Sequence, residues 1–288
     1  QDANLVNSAG YPASPFRARA QERLFSLETE YLDSPLVPGR VWELFVPRRI
    51  TQSTAIFMIH GGGWRGGSRA VNHRVIEELT RLGFVVGNTD YRLDAPDAFA
   101  QIADIRDSYD RFVTRLIELG RPVKVLFYGE SAGAHLAMIT AMTKPGETGE
   151  PLEFPGFRRV NPWVVPTAIA VQAAPVTLEP WEDIFPPSEQ MFRDIVGCAY
   201  ADDPERYRRL SPIRYINPET PRVFFLNAAN EHAFPLEFTE EFRKRMRRAG
   251  RDCRIALYPN AEHGFLYDLT RNVQRQAFDD LADYAANL

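Results

Sequence analysis

The sequence predicts an α/β protein with a mostly parallel central sheet, helices on both faces and a small cap made of insertions. Short apolar strands alternate with helical segments from about residue 41 onward, and this alternation is typical of parallel sheets covered on both faces. Several strands are apolar throughout, as expected for strands buried on both sides. We expect one domain over residues 1–288, with cap insertions at about 144–166 and 175–221.

Residues 25–32 and 41–46 predict two strands at an edge of the sheet, with Pro35 and Pro38-Gly39 in the turn between them. The other predicted strands are short runs rich in apolar residues: 55–59, 84–88, 123–128, 168–173, 223–227 and 254–258. Residues 99–119 have apolar side chains at helical spacing and predict a long amphipathic helix. The other predicted helices are 71–82, 132–142, 236–249 and 273–286.

The composition excludes several classes of protein. With 44% hydrophobic and 25% charged residues and a net charge of −4, the chain has the composition of a soluble globular protein. Scattered basic residues argue against nucleic-acid and membrane partners. Cys198 and Cys253 exclude a disulfide framework but leave one bridge open. The start at Gln1 fits a secreted or periplasmic protein without its signal peptide, or a trimmed cytoplasmic one, so localisation and oligomeric state stay open.

The most specific motif is Gly129-Glu130-Ser131-Ala132-Gly133, which lies between a predicted strand and a predicted helix. A serine on such a turn, with glycine two residues to either side, is typical of a nucleophile elbow. The glycines are needed because the strand and the helix nearly touch there and a Cβ would collide. Ser131 is therefore the predicted nucleophile of a covalent mechanism.

A serine nucleophile needs a base and an acid that orients the base. In the chain order serine, acid, histidine, the base follows the last strand, and His263 is the histidine that does so. The acid belongs on the loop after strand 223–227, where Glu231 is the only carboxylate before Pro235. We reject Glu237, which lies inside the next helix, and Glu262, whose side chain should diverge from that of the adjacent base.

The segment His60-Gly61-Gly62-Gly63-Trp64 follows a buried strand upstream of the elbow. Its glycines can turn backbone N–H groups toward the anionic oxygen of a tetrahedral intermediate. We predict an oxyanion hole made by the amides of Gly62, Gly63 and Ala132. We expect His60 to hold this loop by hydrogen bonds. Because no histidine, cysteine or carboxylate cluster has metal-ligand spacing, we predict neither a metal nor a cofactor.

With the oxyanion segment, the elbow and His263-Gly264-Phe265, the chain resembles the α/β-hydrolase superfamily, and within it the esterase/lipase branch with a His-Gly-Gly-Gly oxyanion loop. That branch includes small carboxylesterases, acetyl and feruloyl esterases acting on plant polysaccharides, and kynurenine formamidase relatives. The resemblance runs from about residue 41 to the C-terminus. Glu130 and Glu231 depart from it, since many members have Asp at these positions.

The resemblance and the motifs together predict a serine carboxylesterase that forms an acyl-enzyme on Ser131. The expected substrate is a small acyl or aryl ester, with acetyl or feruloyl esters of plant carbohydrates as specific candidates. One alternative is an amide-directed hydrolase similar to kynurenine formamidase, and another is a non-catalytic binding protein on the same fold. The candidate substrate-binding residues are Trp64, Glu130, Trp181, Phe185 and Phe192.

Overall fold

The computed structural model describes residues 25–32, 40–153, 157 and 159–288. Its strands, in chain order, are β1 (Phe25–Tyr31), β2 (Val41–Pro47), β3 (Ala55–Ile59), β4 (Val86–Thr89), β5 (Val125–Glu130), β6 (Ala168–Gln172), β7 (Arg222–Asn230) and β8 (Cys253–Glu262). Its α-helices are α1 (His73–Arg81), α2 (Ala98–Glu118), α3 (Ala132–Ala141), α4 (Pro186–Val196), α5 (Pro204–Arg209), α6 (Leu236–Arg248) and α7 (Asn272–Ala286). The predicted turn with Pro35 and Pro38-Gly39 lies outside the described residues.

The described strands form one eight-stranded sheet in the order β1-β2-β4-β3-β5-β6-β7-β8. β2 runs antiparallel to both β1 and β4, and from β4 to β8 all neighbouring strands run parallel. This sheet confirms the predicted fold class and the edge position of the first two strands. The single-domain boundaries stay a prediction, since residues 1–24, 33–39, 154–156 and 158 lie outside the described part.

Helices cover both faces of the sheet, and β3 shows how the core divides between them. Ile56 and Met58 point into an apolar layer shared with α1 and α7. Phe57 and Ile59 point into the opposite layer, which also contains side chains of α2, α3, α4 and α6. Because successive strand residues face opposite sides, an apolar run such as β3 fits a strand buried on both faces.

The predicted insertion at 175–221 contains α4, α5 and a short 3-10 helix, Pro212–Tyr215. α4 begins at Pro186 and ends at Val196, and Gly197, whose φ of 94° is left-handed, caps its C-terminus. Phe192, Ile195 and Val196 of α4 are buried in the same apolar layer as α2. The insertion is therefore packed against the sheet domain on the side of α2 and α3.

β7 and β8 are longer than predicted, and the extra length determines where the candidate site lies. Their pairing continues past Ala228 and Tyr258 to Asn230 and Glu262, with a register shift on the way. The sequence criterion for these strands was a run of apolar residues, and it did not include the extensions because both contain polar residues. Since Asn230 faces Glu262, the residues that follow them, Glu231 and His263, leave the sheet side by side.

The structure answers one open question of the sequence and adds one finding. Cys198 and Cys253 are both free thiols, so they do not form a bridge with each other. Among the described helices, none is long and apolar enough to cross a membrane.

Candidate active site

Ser131 sits on a sharp turn between β5 and α3, with φ of 53° and ψ of −118°. This conformation is rare for a residue with a Cβ, and such positions cost about 1–3 kcal/mol and cluster at functional sites. Two backbone hydrogen bonds hold the turn: Ser131 N donates to Gln172 O at 3.0 Å, and His135 N donates to Ser131 O at 3.0 Å. The turn is thus fixed to β6 on one side and to α3 on the other.

The two glycines of the elbow are where the backbone segments meet. A Cβ on Gly129 would lie 2.2 Å from the carbonyl oxygen of Gly133, and a Cβ on Gly133 would lie 2.2 Å from that of Ile59. Both contacts are with backbone, which cannot move aside cheaply. The close approach expected from the sequence is therefore present at both positions.

Ser131, His263 and Glu231 form a hydrogen-bonded chain. The Ser131 hydroxyl lies 2.9 Å from His263 Nε2, and His263 Nδ1 lies 2.9 and 2.8 Å from the two oxygens of Glu231. With a proton on Nδ1, His263 donates to Glu231 and its Nε2 can accept from Ser131, a tautomer that we assign from the network. The structure brings together the three residues that the sequence singled out as nucleophile, base and acid, and we call this hydrogen-bonded chain the relay.

The carboxylate of Glu231 is mostly buried, with 8% of its side chain exposed. Its Oε1 also accepts a hydrogen bond from the backbone N–H of Ala233 at 2.9 Å, so the loop after β7 fixes the orientation of the carboxylate. The neighbouring candidate Glu262 points away and forms an ion pair with Arg271 at 2.7 Å.

The charges around His263 favour its protonated form. Burial by itself lowers the pKa of the imidazole, but the hydrogen bond and the charge of Glu231, together with the charge of Glu130, raise it more, and the net pKa lies above the ordinary 6.5. A base with a raised pKa accepts a proton more readily, although it must first be neutral to do so.

The loop after β3, which carries two of the predicted oxyanion donors, has an unusual backbone conformation. Gly62, Gly63 and Trp64 have φ values of 128°, 60° and 63°, and Gly66 N donates to Gly62 O at 2.8 Å to close a turn. Among the described residues, no hydrogen bond uses the N–H of Gly62, Gly63 or Ala132. These three donors remain available for a ligand, with Ala132 at the N-terminus of α3.

His60 fixes this loop through ring stacking and hydrogen bonds, as expected from the sequence. Its ring stacks on Tyr91 with centroids 4.4 Å apart, and its Nδ1 donates to Gly61 O at 2.6 Å. The Tyr91 hydroxyl donates to His60 O at 2.9 Å. Burial lowers the pKa of His60, so the ring stays neutral and acts as a fixed support.

Trp64 and His135 tie the same loop to α3 and to the insertion. Trp64 Nε1 donates to His135 Nδ1 at 3.1 Å, and His135 Nε2 donates to Leu210 O at 2.7 Å. His135 is fully buried, and burial lowers its pKa to about 4. His135 is therefore a buried histidine whose two ring nitrogens both have hydrogen-bond partners.

The predicted substrate-binding aromatics occupy different depths. Trp64 and Phe192 are each 1% exposed and pack edge to face with ring centroids 6.0 Å apart. Both side chains are thus part of the core, and they could affect a substrate only indirectly. Trp181 is partly buried and contacts Phe238 at 5.0 Å, whereas Phe185 is 56% exposed. Glu130 is buried behind Ser131, at 5% exposure, and not on an open surface.

Sequence reasoning missed three residues close to the relay. Phe234 lies beside the His263 ring, with centroids 5.8 Å apart. Met191 of α4 lies over the oxyanion loop, where its sulfur would be 3.1 Å from a Cβ on Gly63. The Tyr267 hydroxyl lies next to the Glu130 carboxyl, and both border the position that a Cβ on Gly264 would take. Phe234 and Tyr267 could have been found from their positions on the acid and base loops, but the contact of Met191 depends on how the insertion folds.

A search of the described residues for three or more histidine, cysteine or carboxylate side chains able to hold a metal ion found no such group.

The sheet order, the strained serine turn and the loops that surround it define an α/β-hydrolase. The BD-FAE family model matches residues 43–246, which is more than half of the chain, and the Dienelactone hydrolase family model matches residues 211–287. The chain belongs to the BD-FAE family, within the esterase/lipase group of α/β-hydrolases that the motifs indicated.

The similar curated proteins are longer than this chain. It is 25% identical over 255 residues to Esterase LipQ of Mycobacterium tuberculosis, a match that covers 86% of this chain and 56% of the relative. The chain spans about half the length of the first curated relatives that it matches.

Solved structures with the same fold cover the chain nearly completely. An esterase from Thermogutta terrifontis, Est2, superposes with a TM-score of 0.68 at 24% identity, over 92% of this chain and 91% of that one. The same esterase has been solved with propionate bound and with butyrate bound. A truncated carbohydrate esterase from gut microbiota superposes with a TM-score of 0.73 at 18% identity, over 92% of this chain and 96% of that one.

Proposed function

We propose that this protein is a serine carboxylic ester hydrolase that acts through an acyl-enzyme on Ser131. The observation that supports the proposal most is the relay itself, with 2.9 Å between Ser131 Oγ and His263 Nε2 and 2.8 Å between His263 Nδ1 and Glu231. A surface histidine without a catalytic role has no reason to bridge a strained serine and a buried carboxylate. The family and the names of the relatives point to the same activity.

In the first half of the proposed reaction, Ser131 Oγ attacks the ester carbonyl while His263 Nε2 takes its proton. The carbonyl oxygen becomes an anion and receives hydrogen bonds from the amides of Gly62, Gly63 and Ala132, which is the effect that usually contributes most to such reactions. Glu231 stabilises the imidazolium through Nδ1. His263 then gives the proton to the departing alcohol, and the acyl group stays on Ser131.

In the second half, water replaces the alcohol. His263 takes a proton from the water as its oxygen attacks the acyl carbon, and the same amides receive the second oxyanion. Collapse of this intermediate returns the proton to Ser131 Oγ and releases the carboxylic acid. Each group is used twice, and the enzyme returns to its starting protonation state.

We further propose that the acyl group is short or aromatic. Phe234 beside His263 and Met191 over Gly63 border the relay with apolar surface, and such surface favours apolar groups of limited size. Propionate and butyrate, bound in structures of Thermogutta terrifontis Est2, are acids of that length. The fold shared with a carbohydrate esterase keeps acetyl and feruloyl esters of carbohydrates among the candidates.

The test compares p-nitrophenyl acetate, butyrate and octanoate with a feruloyl ester and an aryl formamide. We expect the shorter esters to give higher kcat/KM than octanoate, and Ser131→Ala to abolish turnover without loss of the folded state. His232→Ala, on an exposed histidine of the acid loop, is the matched control and should stay active. Preference for the formamide would favour an amide-directed hydrolase, and no turnover of any substrate would favour a binding protein.

A further inference from the structure

The buried carboxyl of Glu130, the last residue of β5, fills a space that two glycines leave open. A Cβ on Gly61, in the oxyanion loop, would lie 2.0 Å from Glu130 Oε2. A Cβ on Gly264, directly after His263, would lie 2.6 Å from Glu130 Oε1. One carboxyl group thus touches the segment that carries the predicted oxyanion donors and the segment that carries the predicted base.

The same carboxyl faces the reactive side of His263. Glu130 Oε1 lies 3.9 Å from His263 Nε2, the nitrogen that faces Ser131, whereas Glu231 lies at Nδ1. The imidazole therefore stands between two carboxyl groups, one at each nitrogen. A positive charge that forms on the ring during proton transfer is close to both of them.

The Tyr267 hydroxyl lies beside this carboxyl, since a Cβ on Gly264 would lie 2.3 Å from the hydroxyl oxygen and 2.6 Å from Glu130 Oε1. A buried carboxyl group needs such a partner, because an unsatisfied one carries a large desolvation penalty. Burial and the charge of Glu231 raise the pKa of Glu130, Tyr267 and the charge of His263 lower it, and the net pKa lies above its ordinary value. The titratable groups that face the carboxyl are His263, Glu231, Tyr267 and the buried phenols Tyr91 and Tyr128.

We propose that Glu130 is a positioning residue for the proposed ester hydrolysis: its carboxyl group, with Tyr267 beside it, sets the distance between the oxyanion loop and the His263 loop and faces the imidazolium formed at Nε2. The inference rests on the proposed function. It goes beyond the relay, because it assigns a second carboxylate to the base and a task to Tyr267. No covalent step involves Glu130, which neither attacks the substrate nor leaves with a product.

The substitution Glu130→Gln keeps the shape of the side chain and removes its charge. We expect kcat to fall about 10- to 100-fold, by analogy with the loss of a carboxylate partner of a metal-bound histidine, with KM unchanged. The titration of the His263 ring, followed by NMR, should move to lower pH, since the charge of Glu130 raises the pKa of His263. Glu130→Asp restores the charge and should recover part of kcat and of the titration shift.

Glu262→Gln is the matched control. Glu262 also lies next to the base, directly before His263, but it is exposed and paired with Arg271, so its loss should leave kcat and the His263 titration unchanged. If Glu130→Gln does not fold, Tyr267→Phe takes its place, because it keeps the carboxyl and removes the hydroxyl beside it. That variant should lower kcat and leave KM unchanged.

The two proposals fail in different ways. Absence of ester turnover in the wild-type protein refutes the proposed function, while the NMR titration of His263 still measures the influence of Glu130 without turnover. Wild-type kcat together with an unshifted His263 titration in folded Glu130→Gln, or in Tyr267→Phe where that variant replaces it, would overturn the positioning role. A loss of thermal stability alone would also overturn it, since it would show Glu130 to be a structural filler.

Discussion

Replacing Glu231 with Gln tests the proposed relay at its least usual member. Oε1 of Glu231 accepts from Ala233 N at 2.9 Å, so the oxygen of a glutamine amide is held there and its NH₂ group takes the place of Oε2. Oε2 lies 2.8 Å from His263 Nδ1. Oε1 is also only 2.9 Å from Nδ1, so in the variant the amide oxygen and the NH₂ group compete for this nitrogen. The NH₂ group can only donate, and its contact with Nδ1 favours the tautomer that carries its proton on Nε2. In that tautomer His263 cannot accept the proton of Ser131.

The expected size of the effect follows from the same distances. Unit charges 2.8 Å apart attract by about 6 kcal/mol at an effective dielectric constant of about 20. This value is a ceiling, because the His263 side chain is 37% exposed and solvent screens the pair. Loss of the correct tautomer lowers kcat by about 10⁴-fold in other triads, which corresponds to about 5 kcal/mol. We therefore expect kcat of Glu231→Gln to fall by about 10³- to 10⁴-fold.

The assay is hydrolysis of p-nitrophenyl butyrate, with active sites counted by a stoichiometric phosphonate label where labelling is fast enough. Thermal unfolding verifies that the variant is folded. Glu237→Gln is the matched control, because Glu237 is exposed, six residues further along and inside α6, and it should retain wild-type kcat. A folded Glu231→Gln with near-wild-type kcat would refute the reasoning and move the acid to another carboxylate.

Three further predictions concern strain, pH and a buried charge. Ser131→Gly should abolish hydrolysis and raise the free energy of unfolding by about 1 kcal/mol, because strain of about 1–3 kcal/mol exceeds the gain in unfolded-state freedom of about 0.4–1 kcal/mol; an unchanged or lower denaturant midpoint would contradict this. The value of kcat/KM should rise with pH through a pKa above 6.5. Burial lowers the pKa of His263, but the relay raises it more, and the base acts only when neutral. An inflection of the pH profile below 6.5 would argue against the relay. Burial raises the pKa of Glu43, but the hydrogen bond and charge of His73 and the charge of Arg69 lower it more, and the net pKa lies below 4.5. The ionised carboxylate therefore stabilises the fold above pH 4.5, and this contribution disappears as pH falls through the lower folded-state pKa. Glu43→Gln should destabilise the protein by about 3 kcal/mol at pH 7 and progressively less in acid. Urea unfolding at several pH values measures this difference.

Local chemistry explains why the elbow and the oxyanion loop could be predicted from the sequence. Gly129 and Gly133 are required by contacts with a neighbouring backbone, and such a requirement appears in the sequence as a glycine at a fixed spacing from Ser131. The glycines after β3 carry the same kind of signal. Likewise, the apolar run of β3 matches the observed strand residue for residue.

The surroundings of the relay could not be predicted, because they depend on contacts between distant segments. Met191 reaches the oxyanion loop only because α4 packs beside it, and nothing near Met191 in the sequence indicates that contact. Trp64 looked like a pocket residue from its place after the glycines, yet its indole lies inside the core against His135. Glu130, the residue before Ser131, is also buried. The sequence does not show this, because the conformation of the elbow determines which of its side chains is buried.

Glu231 stands where the resemblance to related hydrolases predicts Asp, and the ends of the last two strands explain how the longer side chain fits. β8 has four steps from Tyr258 to Glu262, whereas β7 has two from Ala228 to Asn230, so the strands leave the sheet with an irregular register. From that position Glu231 reaches His263 Nδ1 with both oxygens while Ala233 fixes the carboxylate. An aspartate at the same backbone position would stop short by one carbon–carbon bond, about 1.5 Å. The separation of the carboxylate from Nδ1 would grow from 2.8 Å to as much as about 4.3 Å, which is beyond hydrogen-bond distance. With the loop in this conformation, contact with His263 therefore needs the longer side chain of Glu.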